Sequence, residues 1–151
     1  MYPIRLKTIR AVYETLTVEE AQPPYLKTGT RYTSAQQVFD TFRYLQLETK
    51  EHFLSLHLDG KNRILCVDRV SIGSLNQSIV HPREVFKNSL LSSAAALILI
   101  HNHPSGDPAP SSEDRTITKR LQEAGELLGI RILDHIVIGE TYCSFVEQGL
   151  L

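Results

Sequence analysis

The sequence predicts a single-domain α/β protein with a mixed central β-sheet flanked by helices. With 151 residues, 42% of them hydrophobic and 22% charged, the chain has the size and composition of one compact domain. Residues 95–100 are continuously apolar, the pattern of a central strand covered on both faces. Segments of helical period and of strand-like composition alternate around that run, which favours helices packed on a mixed sheet.

The N-terminal part of the chain is expected to be an arm followed by a linker, over residues 1–32. Residues 4–16 combine β-branched and aromatic residues with basic ones, which predicts a strand at a sheet edge. Residues 22–32 contain Pro, Gly and Thr and are typical of a linker. The folded domain would then occupy residues 33–151.

A helix is predicted from Ser34 to about Leu47, because Val38 and Phe42 share one face and Ser34 and Gln37 can form a capping box. A β-hairpin follows, with strands at residues 51–59 and 63–70 around a turn that contains Asp-Gly.

Two histidines of the hairpin, His52 and His57, are expected on its surface. They lie five positions apart and would therefore point to opposite faces.

A second helix is predicted to begin at Pro82 and to reach about Ser92, with Phe86 and Leu90 as its apolar stripe. His81, immediately before Pro82, is expected to be the residue at which the chain enters this helix.

The third helix is predicted to begin after the N-cap Ser111 and to end at Gly129. Its expected buried stripe consists of Ile117, Leu121, Ala124 and Leu128. Two strands, residues 130–138 and 142–146, would follow and join around residues 139–141. Within the first of them, His135 has two interpretations: a core histidine with satisfied hydrogen bonds, or a partner of a metal ligand.

Composition restricts the classes of function. The formal net charge is −1, so charge gives no support for DNA binding. The longest apolar run has seven residues, too few to cross a bilayer, and the first ten residues lack a signal-peptide core. A cytoplasmic location without membrane association is therefore expected. Cys66 and Cys143 form no CxxC motif and are interpreted as ordinary core thiols.

The chemistry-bearing residues lie in the loop between the central strand and the third helix. If the strand continues through His103, His101 and His103 point to the same side and can bind one ion. Asp114, in the first turn of the helix, can supply a third ligand. Two imidazoles and one carboxylate favour zinc, and three protein ligands leave a position for the water of a catalytic site.

Hydrolysis also requires a group that moves protons, and carboxylates do this well. Spacing alone leaves three candidates, Glu51, Glu84 and Glu113. Asn102 and Ser105 have two equal interpretations, as turn-forming residues or as residues that orient the imidazoles or contact substrate.

The pattern His101-x-His103-Pro104, six residues, then Ser111-x-x-Asp114 resembles the signature of the JAMM (MPN) metalloproteases. The sequence segments at residues 80–86, 101–107 and 134–139 are similar to those of the bacterial RadC branch of that superfamily. The resemblance covers about residues 34–151. It implies a deaminase-like fold and a zinc ion on His101, His103 and Asp114.

The resemblance also assigns catalytic roles. It implies Glu51 as the general acid and base, and Ser111 as a donor to the oxyanion of the tetrahedral intermediate. Longer RadC relatives carry an N-terminal DNA-associated helix-hairpin-helix region, which residues 1–32 do not resemble.

The leading hypothesis is a zinc-dependent metallopeptidase that hydrolyses a peptide or isopeptide bond in a peptide or protein substrate. The alternative is a binding module of DNA-repair or mobile-element machinery with a non-catalytic metal site. Nucleobase deamination is disfavoured because the Pro-Cys-x-x-Cys ligand pair is missing. The sequence does not indicate an oligomeric state.

Overall fold

A computed structural model describes residues 5–17, 26–73 and 80–151. Its helices are α1 (Ala35–Phe42), a 3₁₀ helix (Arg43–Leu47), α2 (Pro82–Leu91) and α3 (Ser112–Leu128). Its strands are β1 (His52–Leu58), β2 (Ile64–Ile72), β3 (Ala96–Asn102), β4 (Arg131–Ile138) and β5 (Tyr142–Ser144).

The strands form one five-stranded sheet in the order β2-β1-β3-β4-β5. β1 is antiparallel to both of its neighbours, β3 is parallel to β4, and β5 returns antiparallel to β4. The helix α3 makes the crossover that a parallel pair needs. The predicted single-domain α/β fold with a mixed sheet is therefore confirmed, with β3 at its centre.

The two faces of the sheet are covered by different helices. The first apolar cluster contains α1 and the even-numbered residues of β1 and β3, including Val38, Leu54, Leu56, Ile98 and Ile100. The second contains α2, α3 and odd-numbered strand residues, including Phe53, Phe86, Leu97, Leu99 and Leu121. Burial on both faces explains why β3 is apolar at consecutive positions.

The predicted helix ends are confirmed where the capping chemistry is local. Ser34 and Ser111 each form a capping box with the third residue of their helix. His81 is the N-cap of α2, with Pro82 in its first turn. Gly129 ends α3 in the left-handed conformation, with φ of 72°, which costs glycine little. The first helix reaches Leu47 only as a 3₁₀ turn.

The strand predicted for residues 4–16 is absent from the part that the structure describes. Residues 5–17 form no sheet contact, and Leu6 and Ile9 are 87% and 89% exposed. Their apolar positions recur at every third residue rather than at every second, so a strand here would have no apolar face to bury. Position 4 and part of the predicted linker, residues 22–25, lie outside the described residues. The division of the chain at residue 32 stays a prediction.

The surface placement of His52 and His57 is wrong, since both are buried. β1 is an interior strand between β2 and β3, and helices cover both faces of the sheet there, so neither face of β1 meets solvent. The stripe predicted for α2 also needs correction: Leu90 is 55% exposed, and Ser89 occupies the buried position beside Phe86.

Leu128, predicted in the buried stripe of α3, is 43% exposed because it lies in the last turn of the helix. Cys66 and Cys143 are free and half-buried, so neither is a full core residue. No helix among the described residues is long and apolar enough to cross a membrane.

Candidate metal centre

Three predicted ligands meet where β3 ends and α3 begins. His101 is the penultimate residue of β3, His103 follows the strand, and Asp114 lies in the first turn of α3. Side chains at every second position of a strand lie on the same face of the sheet, so both imidazoles lie on the face covered by α3. The capping box holds Asp114 in place, because its carboxylate accepts the backbone N–H of Ser111 at 2.8 Å.

The side-chain atoms of this cluster are close enough to share one ion. The Nε2 atoms of His101 and His103 are 3.0 Å apart. Each is 3.2 Å from an oxygen of Asp114, Oδ1 for His101 and Oδ2 for His103. His101 and Asp114 are buried, and His103 is half-buried. The cluster is therefore closed on its inner side and reachable from outside at His103.

The electrostatics of the cluster keep Asp114 ionised. Burial would raise the pKa of this carboxyl, but hydrogen bonds from His101 and His103 outweigh burial and hold the pKa well below its usual range. The pKa of His103 is raised, chiefly by its hydrogen bond with Asp114 and against the effect of burial. A negative charge thus lies between two imidazoles.

Each imidazole is oriented through its other nitrogen. Nδ1 of His103 donates to the backbone carbonyl of Asp107 at 2.7 Å, so the neutral ring, which is the form that binds a metal, has its lone pair on Nε2. Nδ1 of His101 lies 2.7 Å from Nε2 of His135, and Nδ1 of His135 lies 2.6 Å from Oγ1 of Thr118. Outer contacts of this kind commonly orient metal-binding histidines.

The residues fit a zinc ion. Zinc is bound in proteins by neutral imidazole nitrogen and by carboxylate oxygen, and three protein ligands are usual in catalytic sites. Here the acceptor nitrogen of His103, an imidazole nitrogen of His101 and an ionised carboxylate converge, all within 4.8 Å of one another. This donor set is suited to a cation.

Ser111 lies beside the cluster as the N-cap of α3. Its hydroxyl oxygen accepts the backbone N–H of Asp114 at 3.1 Å. Capping uses a lone pair of the oxygen, so the hydroxyl hydrogen can still be donated. The two roles predicted for Ser111 are therefore chemically compatible.

Glu51 lies immediately before β1 and is half-buried. β1 and β3 pair with Phe53 opposite His101, and the backbone N–H of His52, next to Glu51, donates to the side chain of Asn102, next to His103. Its negative charge contributes to the raised pKa of His103. The structure thus places Glu51 near His103, the half-buried member of the cluster.

The other two candidate carboxylates have different surroundings. Glu84 on α2 pairs with Lys87 at 3.0 Å, and its charge is not among the causes of the raised pKa of His103. Glu113 is exposed and accepts the Ser112 hydroxyl at 2.9 Å. Of these three carboxylates, Glu51 is the one whose charge raises the pKa of His103.

Asn102 and Ser105 differ in what they contact. The buried side chain of Asn102 accepts the N–H of His52 at 2.7 Å and donates to the Lys50 carbonyl at 3.0 Å. It therefore braces the backbone on both sides of Glu51. Ser105 accepts the backbone N–H of Asp107 at 3.3 Å, which is a local turn contact.

The loop that carries His103 is also packed against the turn between β4 and β5. A Cβ atom added at Gly139 would collide with the backbone of Gly106 and Pro108. Gln46 fixes this turn from the other side by donating to the Gly139 carbonyl at 2.6 Å. Glycine at position 139 thus permits the close approach that sets the loop.

An open cleft of about 380 Å³ adjoins the same loop. Its lining includes Pro108, Pro110, Arg115, Tyr142 and Cys143. The cleft combines apolar walls with one guanidinium group and lies next to the segment that joins His103 to Ser111.

Sequence reasoning did not single out Thr118. It lies four residues after Asp114, on the same face of α3, and this spacing was the available signal. For His135 both earlier interpretations apply in part, because it is a fully buried histidine with both nitrogens paired and one of its partners is His101.

Comparison with known proteins shows to which family the chain belongs. Residues 32–150 match the family described as the RadC-like JAB domain. The chain is 65% identical over 128 residues to a UPF0758 protein of Trichlorobacter lovleyi, covering 83% of this chain and 56% of that protein. It is 49% identical over 151 residues to a UPF0758 protein of Syntrophotalea carbinolica, covering 99% of this chain and 66% of that protein.

These names state no activity, and the chain spans between about half and two thirds of the length of these relatives. The family match covers the whole sheet and every residue of the cluster. The chain belongs to the RadC-like JAB domain family, within the JAMM (MPN) superfamily.

Proposed function

We propose that this domain is a zinc-dependent hydrolase that cleaves a peptide or isopeptide bond. The observation that carries the proposal is the convergence of His101, His103 and Asp114 at the end of the central strand. These three side chains would hold the ion. Zinc bound by such ligands polarises a carbonyl group and makes water nucleophilic near neutral pH.

Glu51 is proposed to move the proton. A general base must accept a proton from the attacking water and then deliver it to the leaving nitrogen. Glu51 is half-buried at the accessible side of the cluster, and its charge acts on His103. Its backbone is held by Asn102 on both sides, so the carboxylate would act from a fixed position.

Ser111 is proposed to stabilise the oxyanion. Its hydroxyl oxygen already accepts the Asp114 N–H, which fixes the oxygen at the start of α3. The hydroxyl hydrogen, which can reach Glu113 in this structure, can be donated instead to an oxygen that becomes negative during the reaction. The positive end of the α3 dipole favours the same charge.

The substrate is proposed to be a polypeptide segment that lies along the open cleft beside the loop. Proline walls and the Tyr142 ring offer apolar contact, and Arg115 offers a donor to carbonyl or carboxylate oxygens. An extended segment in this cleft would pass the loop between His103 and Ser111.

The test is a comparison of wild-type protein with Glu51→Gln on a library of peptide and isopeptide substrates, with cleavage read by mass spectrometry. Cleavage by wild-type protein is expected, with loss of cleavage but retained zinc in Glu51→Gln. Glu48→Gln is the matched control, because Glu48 lies three residues upstream and pairs with His52 at 3.4 Å. Equal cleavage by wild type and Glu51→Gln would refute the proposed mechanism.

A further inference from the structure

We propose that His135 and Thr118 are positioning residues that fix the tautomer of His101, so that its Nε2 atom faces the metal cluster as a lone-pair donor. This inference rests on the proposed metal site. It goes further by assigning a role to two side chains that do not touch the ion.

A relay of hydrogen bonds runs from Thr118 through His135 to His101. It begins with the hydroxyl of Thr118. Its hydrogen is donated to the backbone carbonyl of Asp114 at 2.5 Å, one helical turn back. A carbonyl oxygen can only accept, and a hydroxyl has only one hydrogen. The Thr118 oxygen is therefore left as an acceptor toward Nδ1 of His135, 2.6 Å away.

The second step is the tautomer of His135. Because Nδ1 faces an acceptor, it carries the hydrogen, and a neutral imidazole then has its lone pair on Nε2. His135 is fully buried with both ring nitrogens in hydrogen-bonding contact, and burial disfavours the charged form of an imidazole.

The third step sets the tautomer of His101. Nε2 of His135 lies 2.7 Å from Nδ1 of His101, so Nδ1 of His101 must donate. In the neutral ring of His101 the lone pair is then on Nε2, which faces His103 and Asp114. The opposite tautomer would point an N–H at the position of a cation.

Aromatic packing holds the His135 ring in the required plane. Phe145 stacks on it at a centroid distance of 4.7 Å, and Phe53 meets it edge-on at 5.6 Å. The ring cannot turn without disturbing both contacts. A phenylalanine at position 135 would preserve this packing while it removes the acceptor nitrogen.

The first experiment locates the imidazole hydrogens by NMR with ¹⁵N-labelled histidine. Metal-free protein is used above pH 6.5, the ordinary pKa of histidine. The expected result is a hydrogen on Nδ1 of His135. A hydrogen on Nε2 of His135 would overturn the relay. This measurement does not depend on zinc, so it separates failure of the relay from failure of the proposed function.

The second experiment measures zinc affinity by competition with a chromophoric chelator. His135→Phe is expected to raise the Kd for zinc by about 10- to 100-fold, the usual effect of losing such an outer contact. Thr118→Val is expected to weaken binding in the same direction, whereas Thr118→Ser keeps the hydroxyl and stays close to wild type. Unchanged affinity in both His135→Phe and Thr118→Val would overturn the inference.

If His135→Phe fails to fold, as judged by circular dichroism, Thr118→Val and Thr118→Ser decide the question alone. Equal zinc affinity in these two variants would then count against the relay. If the wild-type protein binds no zinc, the proposed function fails, and the NMR result still decides the tautomer.

Discussion

The side-chain oxygen of Asn102 accepts the backbone N–H of His52 at 2.7 Å. This bond ties the strand of the proposed metal ligands to the chain segment that carries Glu51. The amide of Asn102 also donates to the Lys50 carbonyl, so a single buried side chain fixes the backbone before and after Glu51.

Replacing Asn102 with alanine should therefore lower stability. The buried N–H of His52 would lose its partner, which costs about 1–3 kcal/mol. The measurement is the free energy of unfolding in urea. We expect cleavage to fall as well, because Glu51 would lose its fixed position.

Asn88→Ala is the matched control for this variant. The Asn88 amide donates to Asp68 at 2.9 Å, on α2 and away from the ligands. The Asn88→Ala variant should have a lower free energy of unfolding without a comparable loss of cleavage. An Asn102→Ala protein as stable and as active as wild type would contradict the bracing role.

Ser111→Ala separates the capping role of this serine from its proposed catalytic role. Loss of an N-cap costs about 1 kcal/mol, and loss of an oxyanion donor lowers kcat by about 10²- to 10³-fold. Ser34→Ala removes the equivalent cap from α1, so it should lower stability without lowering kcat. If both variants cleave equally well, Ser111 acts only as a cap.

Gly139→Ala should disturb the loop that carries His103. The added Cβ would collide with the backbone of Gly106 and Pro108, so the loop must move or the turn must open. A lower melting temperature and weaker zinc binding are expected. Gly60→Ala provides the control, because a Cβ there meets no atom within 4 Å. Equal melting temperatures for the two variants would show that the close approach has no consequence.

His57 should make stability depend on pH. Burial lowers its pKa, partly offset by Asp68, while the unfolded chain has the ordinary value of about 6.5. Below pH 6.5 the unfolded state therefore binds a proton that the folded state does not. The contribution of His57 to the free energy of unfolding is therefore fully present above this pH, and it is lost as the solution becomes more acidic.

His57→Gln tests this dependence. The variant should flatten the fall in unfolding free energy below pH 6.5, by up to about 1.4 kcal/mol per pH unit. Urea unfolding at several pH values between 7.5 and 5 measures the slope. The same slope in wild type and variant would mean that His57 does not contribute.

The sequence predicted those features that depend on neighbouring residues. Ser34 with Gln37, Ser111 with Asp114, and Gly129 carry their capping chemistry within one helical turn. The apolar run of β3 likewise indicated a strand buried on both faces. The spacing of His101, His103 and Asp114 indicated a cluster, and the structure brings these residues together.

Features that depend on pairing between distant segments could not be predicted in the same way. His57 is buried because the end of α2 covers this face of the sheet, with the Ser92 hydroxyl 2.8 Å from Nδ1 of His57, and nothing in the hairpin sequence indicates that neighbour. His135 meets His101 across 34 positions because β3 and β4 are parallel. Only the register of the sheet reveals that contact.

Metal content is the most direct test of the central proposal that this site holds zinc. Protein purified without chelators should contain about one zinc per chain by elemental analysis, and His101→Ala and Asp114→Asn should contain almost none. His81→Ala, which changes only the N-cap of α2, should keep its zinc. Wild-type protein without bound zinc, and without uptake of added zinc, would contradict the proposal.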